Sequence, residues 1–336
     1  MPPYRAPWWL PGGHLQTIYP SLLLRRRPPR YRRERWQTPD GDFIDLDWLD
    51  EPAEDAPLVA LFHGLEGGSG SHYATALMHA CARAHWRGVV VHFRGCSGEP
   101  NRLPRAYHSG DADEIGWILE RLRSRNAVAG MFAAGVSLGG NALLKWLGRE
   151  GESAVEIVDA AAAISAPMDL MTAGDRLGRG FNLLYGRHFL RTLKPKSLAK
   201  LQRFPGLYDE RIVRRARTLR EFDNVVTAPL HGYRDTDDYW RRASSKSDLA
   251  GIAVPTLIVH ARNDPFLPGV HLPVDGEVSP SVTLEFPEGG GHAGFASGPF
   301  PGNLDWLPRR VLAFFSEARR LTLRSVPTRA ADTPPV

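Results

Sequence analysis

Met131-Phe-Ala-Ala-Gly-Val-Ser-Leu-Gly-Gly-Asn-Ala-Leu-Leu-Lys-Trp146 decides the reading of this chain. A short apolar run, Met131 to Ala134, meets Gly135-Val136-Ser137-Leu138-Gly139. A helix-forming stretch follows, with Ala142, Leu143, Trp146 and Leu147 on one face. Strand, tight turn and helix in that order force a serine at the turn into a strained backbone conformation that lifts its hydroxyl above the sheet edge. Side chains in place of the flanking glycines would collide with the neighbouring strand or helix. The helix start behind the serine also offers N–H groups to a developing negative charge. On its own a G-x-S-x-G pattern is weak, and a Gly-rich turn before an ordinary core helix is the competing reading, so the surrounding chain must decide.

Outward from this stretch, apolar runs alternate with helical patterns. Leu58–Phe62 and Gly88–Phe93 read as strands buried on both faces, Tyr73–Trp86 and Asp111–Leu122 as helices, and Ile157–Ile164 as a further strand. Such alternation means βαβ units, right-handed crossovers and a parallel sheet covered on both sides. Tyr31–Thr38 and Phe43–Leu49, joined at Asp40-Gly41, predict an antiparallel hairpin at one edge. Pro255–His260 and Val282–Phe286 resume the sheet, and Leu304–Ala318 is a closing amphipathic helix. The expected organisation is an N-terminal extended arm over 1–30, core over 31–167, a basic, aromatic helical cap over 168–250, core again over 251–320, and a disordered tail over 321–336.

Composition narrows the function classes. The 336 residues carry 43% hydrophobic and 24% charged side chains, ordinary for a globular chain able to bury a large core. Two cysteines, Cys81 and Cys96, exclude a disulfide framework, have no metal-ligand spacing and favour a reducing, cytoplasmic setting. No signal-peptide pattern and no apolar run of membrane-spanning length are present. Much of the net charge of +5 is local, with Arg25, Arg26, Arg27, Arg30, Arg32, Arg33 and Arg35 close together. A solvated face is the favoured reading of that cluster, and weak peripheral contact with anionic membrane the alternative. No nucleic-acid module accompanies it.

Ligands of an open parallel sheet sit beyond the carboxyl ends of its strands, where His63, Arg94 and Ser137 fall. A serine hydroxyl needs a base, and the base an orienting carboxylate, in the chain order serine, acid, histidine. Of the histidines after Ser137, His292 lies in the loop Gly289-Gly-Gly-His-Ala-Gly-Phe295, between the last strand and the last helix, where a base could swing over the serine. His188 and His231 fall in the cap, and His260 ends a strand. Asp264, within Asn263-Asp-Pro265, is the leading acid, and Asp169 is the alternative. The amides of Leu138 and Leu65 are the candidate oxyanion donors, with His63 shaping the latter's loop.

Several longer pieces are more specific: His14-Leu-Gln-Thr17, His63-Gly-Leu-Glu-Gly-Gly68, Phe93-Arg-Gly-Cys-Ser-Gly-Glu-Pro-Asn101, Tyr107-His-Ser-Gly110, Gly135-Val-Ser-Leu-Gly-Gly-Asn141, Asn263-Asp-Pro-Phe266 and Gly290-Gly-His-Ala-Gly-Phe295. Through them the chain resembles the YheT-like family of α/β-hydrolases, relatives of abhydrolase-domain lipases and of ethyl-ester synthase/esterases. The resemblance spans roughly residues 5 to 317. It implies a Ser137–Asp264–His292 triad and hydrolysis of short- to medium-chain or lipid-like carboxylic esters; no cofactor is expected, and the expected state is a monomer or small homo-oligomer. His92 stands where the family more often has Asn. An acyltransferase or thioesterase on the same triad, and a non-catalytic membrane-surface module, are the competing functions. The role of the His14–Thr17 arm stays open between lining the site and covering a core edge.

Overall fold

The computed structural model describes residues 1–50, 53, 55–125 and 130–325, with side chains to 321. Its strands are β1 (Tyr31–Gln37), β2 (Phe43–Leu49), β3 (Leu58–Phe62), β4 (Arg87–His92), β5 (Met131–Val136), β6 (Ala160–Ile164), β7 (Thr256–Val259) and β8 (Val282–Glu285). They form one sheet in the order β1-β2-β4-β3-β5-β6-β7-β8, parallel from β4 to β8, with the β1–β2 hairpin antiparallel at the edge. Helices α1 (Gly13–Leu23), α2 (His72–Arg83), α3 (Ala112–Arg125) and α4 (Leu138–Glu150) precede the region between β6 and β7. That region holds α5 (Leu170–Leu177), α6 (Leu183–Arg203), α7 (Glu210–Arg215), α8 (Leu219–Phe222), α9 (Ala228–Leu230) and α10 (Thr236–Ala243). Helix α11 (Trp306–Ser325) follows β8.

The apolar runs of the inner strands follow from burial on both sides. Along β3, Leu58, Ala60 and Phe62 pack with Ile115, Leu119 and Trp146 of α3 and α4, while Val59 and Leu61 pack with Leu77 of α2 and Phe315 of α11. The period of two therefore divides each strand between two cores, and no polar position is left to mark an exposed face. Ala160 to Ala163 in β6 are all wholly buried. From β3 the chain crosses to β4 on one side, then back past β3 to β5 on the other. The carboxyl ends of β3 and β5 thus flank the point where the winding reverses, and a crevice opens there.

Two expectations need correcting. The segment 1–30 is not simply an extended arm, because Gly13–Leu23 is helical with Pro20 inside it, and Tyr4 and Leu10 are buried. Four prolines and two tryptophans in the first eleven residues obscured a short helix that is held by tertiary contacts. The boundary at 321 also moves: α11 runs on to Ser325. The rest of the expected tail, 326–336, lies outside the described residues.

The arginine cluster is not one patch. In β1, Arg33 and Arg35 lie directly opposite Asp47 and Asp45 of β2. Each makes a two-pronged carboxylate bridge, at 2.7 and 2.9 Å for Arg33 and 2.8 and 2.9 Å for Arg35. Arg26 instead pairs with Asp305, at 2.9 Å. His92, the departure from the family pattern, points its Nε2 at Asp47, 2.8 Å away, and so belongs to this network. Among the described residues no helix is long and apolar enough to cross a membrane.

Candidate active site

Ser137 sits between β5 and α4 with φ 53° and ψ −119°, a left-handed conformation costly for any side chain but glycine. The turn is tight because its neighbours are bare. A Cβ on Gly139 would meet the carbonyl oxygens of Phe62 at 2.5 Å and His63 at 2.6 Å, and one on Gly135 would meet that of Gly139 at 2.5 Å. The Ser137 amide is anchored to the Ile164 carbonyl at 2.9 Å.

The loops after β7 and β8 bring two more groups to this hydroxyl. His292 places Nε2 2.9 Å from Ser137 Oγ and Nδ1 2.8 Å from Asp264 Oδ2. Asp264 is 1% exposed, and burial by itself would raise its pKa. Pairing with His292, the nearby His260 and the Phe266 amide outweigh that, and the carboxyl is held below its ordinary value. Its other oxygen accepts the Phe266 N–H at 2.8 Å. The Phe266 ring lies with its centroid 4.0 Å from that of His292 and restricts the imidazole. With Nδ1 donating to the carboxylate, Nε2 is free to accept the serine proton.

None of the remaining candidates reaches the Ser137 hydroxyl, although His260 Nε2 lies 3.3 Å from Asp264 Oδ2. Asp169 caps α5, accepting from the Thr172 amide at 3.0 Å and hydroxyl at 2.7 Å, and is not brought to His292. His260 is wholly buried and bonds the Leu267 carbonyl at 3.0 Å. His231 packs against His108 with the rings tilted and their centroids 4.3 Å apart, and His188 lies beside Phe189 on α6. His63 accepts the Phe93 N–H on Nε2 at 3.1 Å and directs Nδ1 at the Gly64 carbonyl at 2.7 Å. Burial lowers its pKa to about 3, so it is a neutral shaper of its loop.

Leu138 opens α4, and its N–H is one of the first-turn donors that a helix leaves without an intrahelical partner. On the facing loop, the Gly64 and Glu66 amides are occupied by the Tyr73 and Tyr107 hydroxyls, each at 2.8 Å. Leu65 lies between them. Leu65, Ser137 and Leu138 all line one cavity of about 610 Å³, whose other wall comes from the helices between β6 and β7, including Leu170, Phe189, Leu193, Phe222 and Trp240. Lys196 of α6 bridges to Glu66 at 2.8 Å and ties that wall to the loop carrying Leu65.

Sequence reasoning missed most of the residues that hold these groups. Asn141 bonds the Ser109 and Ala243 carbonyls, both at 2.8 Å, and accepts from the Ser245 amide at 3.1 Å. Gln16 and Thr17 of α1 reach the His292 loop. The motif His14-Leu-Gln-Thr17 had marked the latter pair without giving its role. Among the described residues no group of three His, Cys, Asp or Glu side chains is arranged to hold a metal ion.

Comparison with known proteins agrees with this architecture. A family model describing the alpha/beta hydrolase fold matches residues 57–299. "Putative esterase YheT" of Escherichia coli (strain K12) is 41% identical over 302 residues, covering 89% of this chain and 88% of that one. Phospholipase ABHD3 of Mus musculus is 32% identical over 316 residues, covering 91% and 76% respectively. Among solved structures, the Pyrococcus furiosus esterase Pf2001 superposes with a TM-score of 0.55 at 15% identity, covering 87% of this chain and 97% of that one, a likeness of fold. The chain belongs to the α/β-hydrolase family and, within it, to the YheT-like hydrolases of esterase and lipase type.

Proposed function

We propose that the chain is a serine carboxylic-ester hydrolase working through an acyl-enzyme on Ser137. The observation that carries this is the relay Asp264 Oδ2–His292–Ser137 Oγ, with links of 2.8 and 2.9 Å, opening onto a cavity of about 610 Å³ with a largely apolar lining. His292 takes the Ser137 proton as Oγ bonds the ester carbon. The Leu65 and Leu138 amides receive the negative charge on the former carbonyl oxygen. Collapse breaks the bond to the alcohol oxygen, which leaves with the proton from His292. A water then loses its proton to the same imidazole and releases the acid, restoring Ser137.

The cavity falls in the size range of small-molecule sites, about 300–1,000 Å³, and suits a short to medium acyl chain or a lipid-like ester. The names of the relatives, an esterase and a phospholipase, point the same way. The test is hydrolysis of p-nitrophenyl esters of increasing acyl length by the wild type and by Ser137→Ala, with folding checked by circular dichroism. Turnover with an optimum in chain length, lost in the variant, supports the reading; equal rates in both proteins overturn it. Faster capture of the acyl group by added alcohol than by water would reassign the enzyme as an acyltransferase on the same serine.

A further inference from the structure

The loop carrying His292 is badly suited by composition to hold a base in place. Gly289, Gly290, Gly291 and Gly294 surround it, and glycine gives up more conformational freedom on ordering than any other residue. Its backbone is also strained: Gly291, Ala293 and Phe295 have φ of 61°, 54° and 44°, and the last two are not glycine. Such conformations persist only where their surroundings impose them.

The surroundings supply four successive hydrogen bonds. The Gly290 amide donates to Gln16 Oε1 at 2.6 Å, and the Gly291 amide to Asn263 Oδ1 at 3.0 Å. The His292 amide donates to Thr17 Oγ1 at 2.9 Å, and the Ala293 amide to Ser165 Oγ at 3.0 Å. Two of the four acceptors are on α1. A third, Asn263, donates its own Nδ2 to Gln16 Oε1 at 2.9 Å. Gln16 therefore holds the base loop and the neighbour of Asp264 with one oxygen, while its Nε2 is anchored to the Leu10 carbonyl at 2.8 Å. The Thr17 hydroxyl donates to the Gly13 carbonyl at 2.7 Å, which turns its oxygen lone pairs toward the His292 amide.

Packing leaves no slack between the two segments. A Cβ on Gly291 would lie 2.6 Å from the Gln16 carbonyl carbon, one on Gly294 would strike the Gln16 carbonyl oxygen, and one on Gly13 would strike that of Asn263. A segment that merely covered a core edge would need apolar contacts alone, and Tyr4 and Leu10, ahead of α1, already supply these. It would not need two buried polar side chains aimed at the amides of one loop.

We propose that α1 is a positioning element for the base, in which Gln16 and Thr17 fix the main chain around His292 so that its two nitrogens reach Ser137 and Asp264 together. The proposal rests on the triad reading above. A displacement of about 1 Å at such a group can cost on the order of 10²-fold in rate, without weakening substrate binding.

The test compares Thr17→Val, similar in shape but without the acceptor, with Thr17→Ser, which keeps it, and with Gln16→Met. We expect kcat on a short p-nitrophenyl ester to fall about 10- to 100-fold in Thr17→Val and Gln16→Met, with KM within about twofold. Ser137 labelling by a small fluorophosphonate should slow by the same factor, and Thr17→Ser should stay within about threefold of wild type. Wild-type kcat in both variants, a change confined to KM, or equal losses in Thr17→Ser and Thr17→Val would overturn the proposal. Should Gln16→Met fail to fold, the Thr17 pair decides. Amide hydrogen exchange at His292, slow in the wild type and faster in Thr17→Val, reads the same contact without any turnover. It separates failure of this proposal from failure of the triad reading, which Ser137→Ala tests by itself.

Discussion

In the sheet every residue of β3, β5, β6 and β7 is buried, and both faces are covered by continuous apolar cores. The helices between β6 and β7 bury only two small, separate groups, one around Leu170, Tyr239 and Trp240 and one around Leu190, Val213 and Phe222. The cavity lies along that wall, beneath the helices. Close packing tolerates little displacement, so loops mounted on the sheet can hold hydrogen bonds to a few tenths of an ångström. The looser layer can instead enclose a volume and set which chain fits it. Polar contacts join the two layers: Lys196 to Glu66, Asn182 to the Pro265 carbonyl at 2.8 Å, and Lys145 to Asp248 at 2.9 Å.

If that division is right, changes on the sheet side act on rate and stability, and changes on the cap side act on selectivity. The largest effect is expected at Asp264. Asp264→Asn keeps the shape but favours the wrong imidazole tautomer, and should lower kcat on the order of 10⁴-fold, with labelling of Ser137 falling in parallel. A loss below tenfold would mean that the carboxylate does not orient His292.

Next in size is core truncation. Leu61→Ala, in wholly buried β3, should destabilise by about 2–5 kcal/mol. Leu190→Ala, on α6, should cost less, because its small cluster can collapse around the gap. Urea unfolding of both variants checks this, and a larger loss in Leu190→Ala would break the comparison.

A smaller effect is expected from pH. Burial holds His63 and His108 near pKa values of about 3, against an ordinary value near 6.5. The unfolded chain then binds more protons than the native one between those values, so stability rises with pH through the window and falls as pH drops below about 6.5. At pH 5 each such histidine lowers stability by about 2 kcal/mol relative to pH 7. Glu114 and Asp223, pushed up by burial, act in the opposite sense over this range, so the check compares wild type with His108→Gln: the drop in melting temperature between pH 7 and pH 5 should be smaller in the variant, and an equal drop would show that His108 does not contribute.

The smallest effect tests the cap. Leu193→Trp narrows the cavity and should cost the longest accepted p-nitrophenyl ester about tenfold in kcat/KM, leaving the shortest within about threefold. A uniform loss at every length would place Leu193 among the groups that support the reaction rather than those that select the chain.

Local chemistry made much of the fold legible. The runs Leu58–Phe62 and Met131–Val136 could be read because a strand covered on both faces needs no polar residues, and the elbow at Ser137 because small neighbours are needed on both sides of it. The arginines of β1 do face solvent, but their partners Asp45 and Asp47 could not be read, since these alternate on another strand and come opposite them only through pairing register. Asp169 and Asp264 both follow strand ends. One became a helix cap and the other faces His292, a difference set by where β6 and β7 direct their following loops.

What the sequence determined alone is therefore the alternation of strands and helices, the order serine, acid, histidine, and the backbone strain at position 137. Those depend on neighbours in the chain, and propensity, period and steric size act at that range. Only the tertiary structure decided that Gln16 and Thr17, separated from His292 by more than 270 positions, would supply the acceptors for its loop. A side-chain hydroxyl or amide carries no mark of a partner so distant in the chain. Its role exists only once the sheet has closed and α1 has packed against the carboxyl ends of the strands.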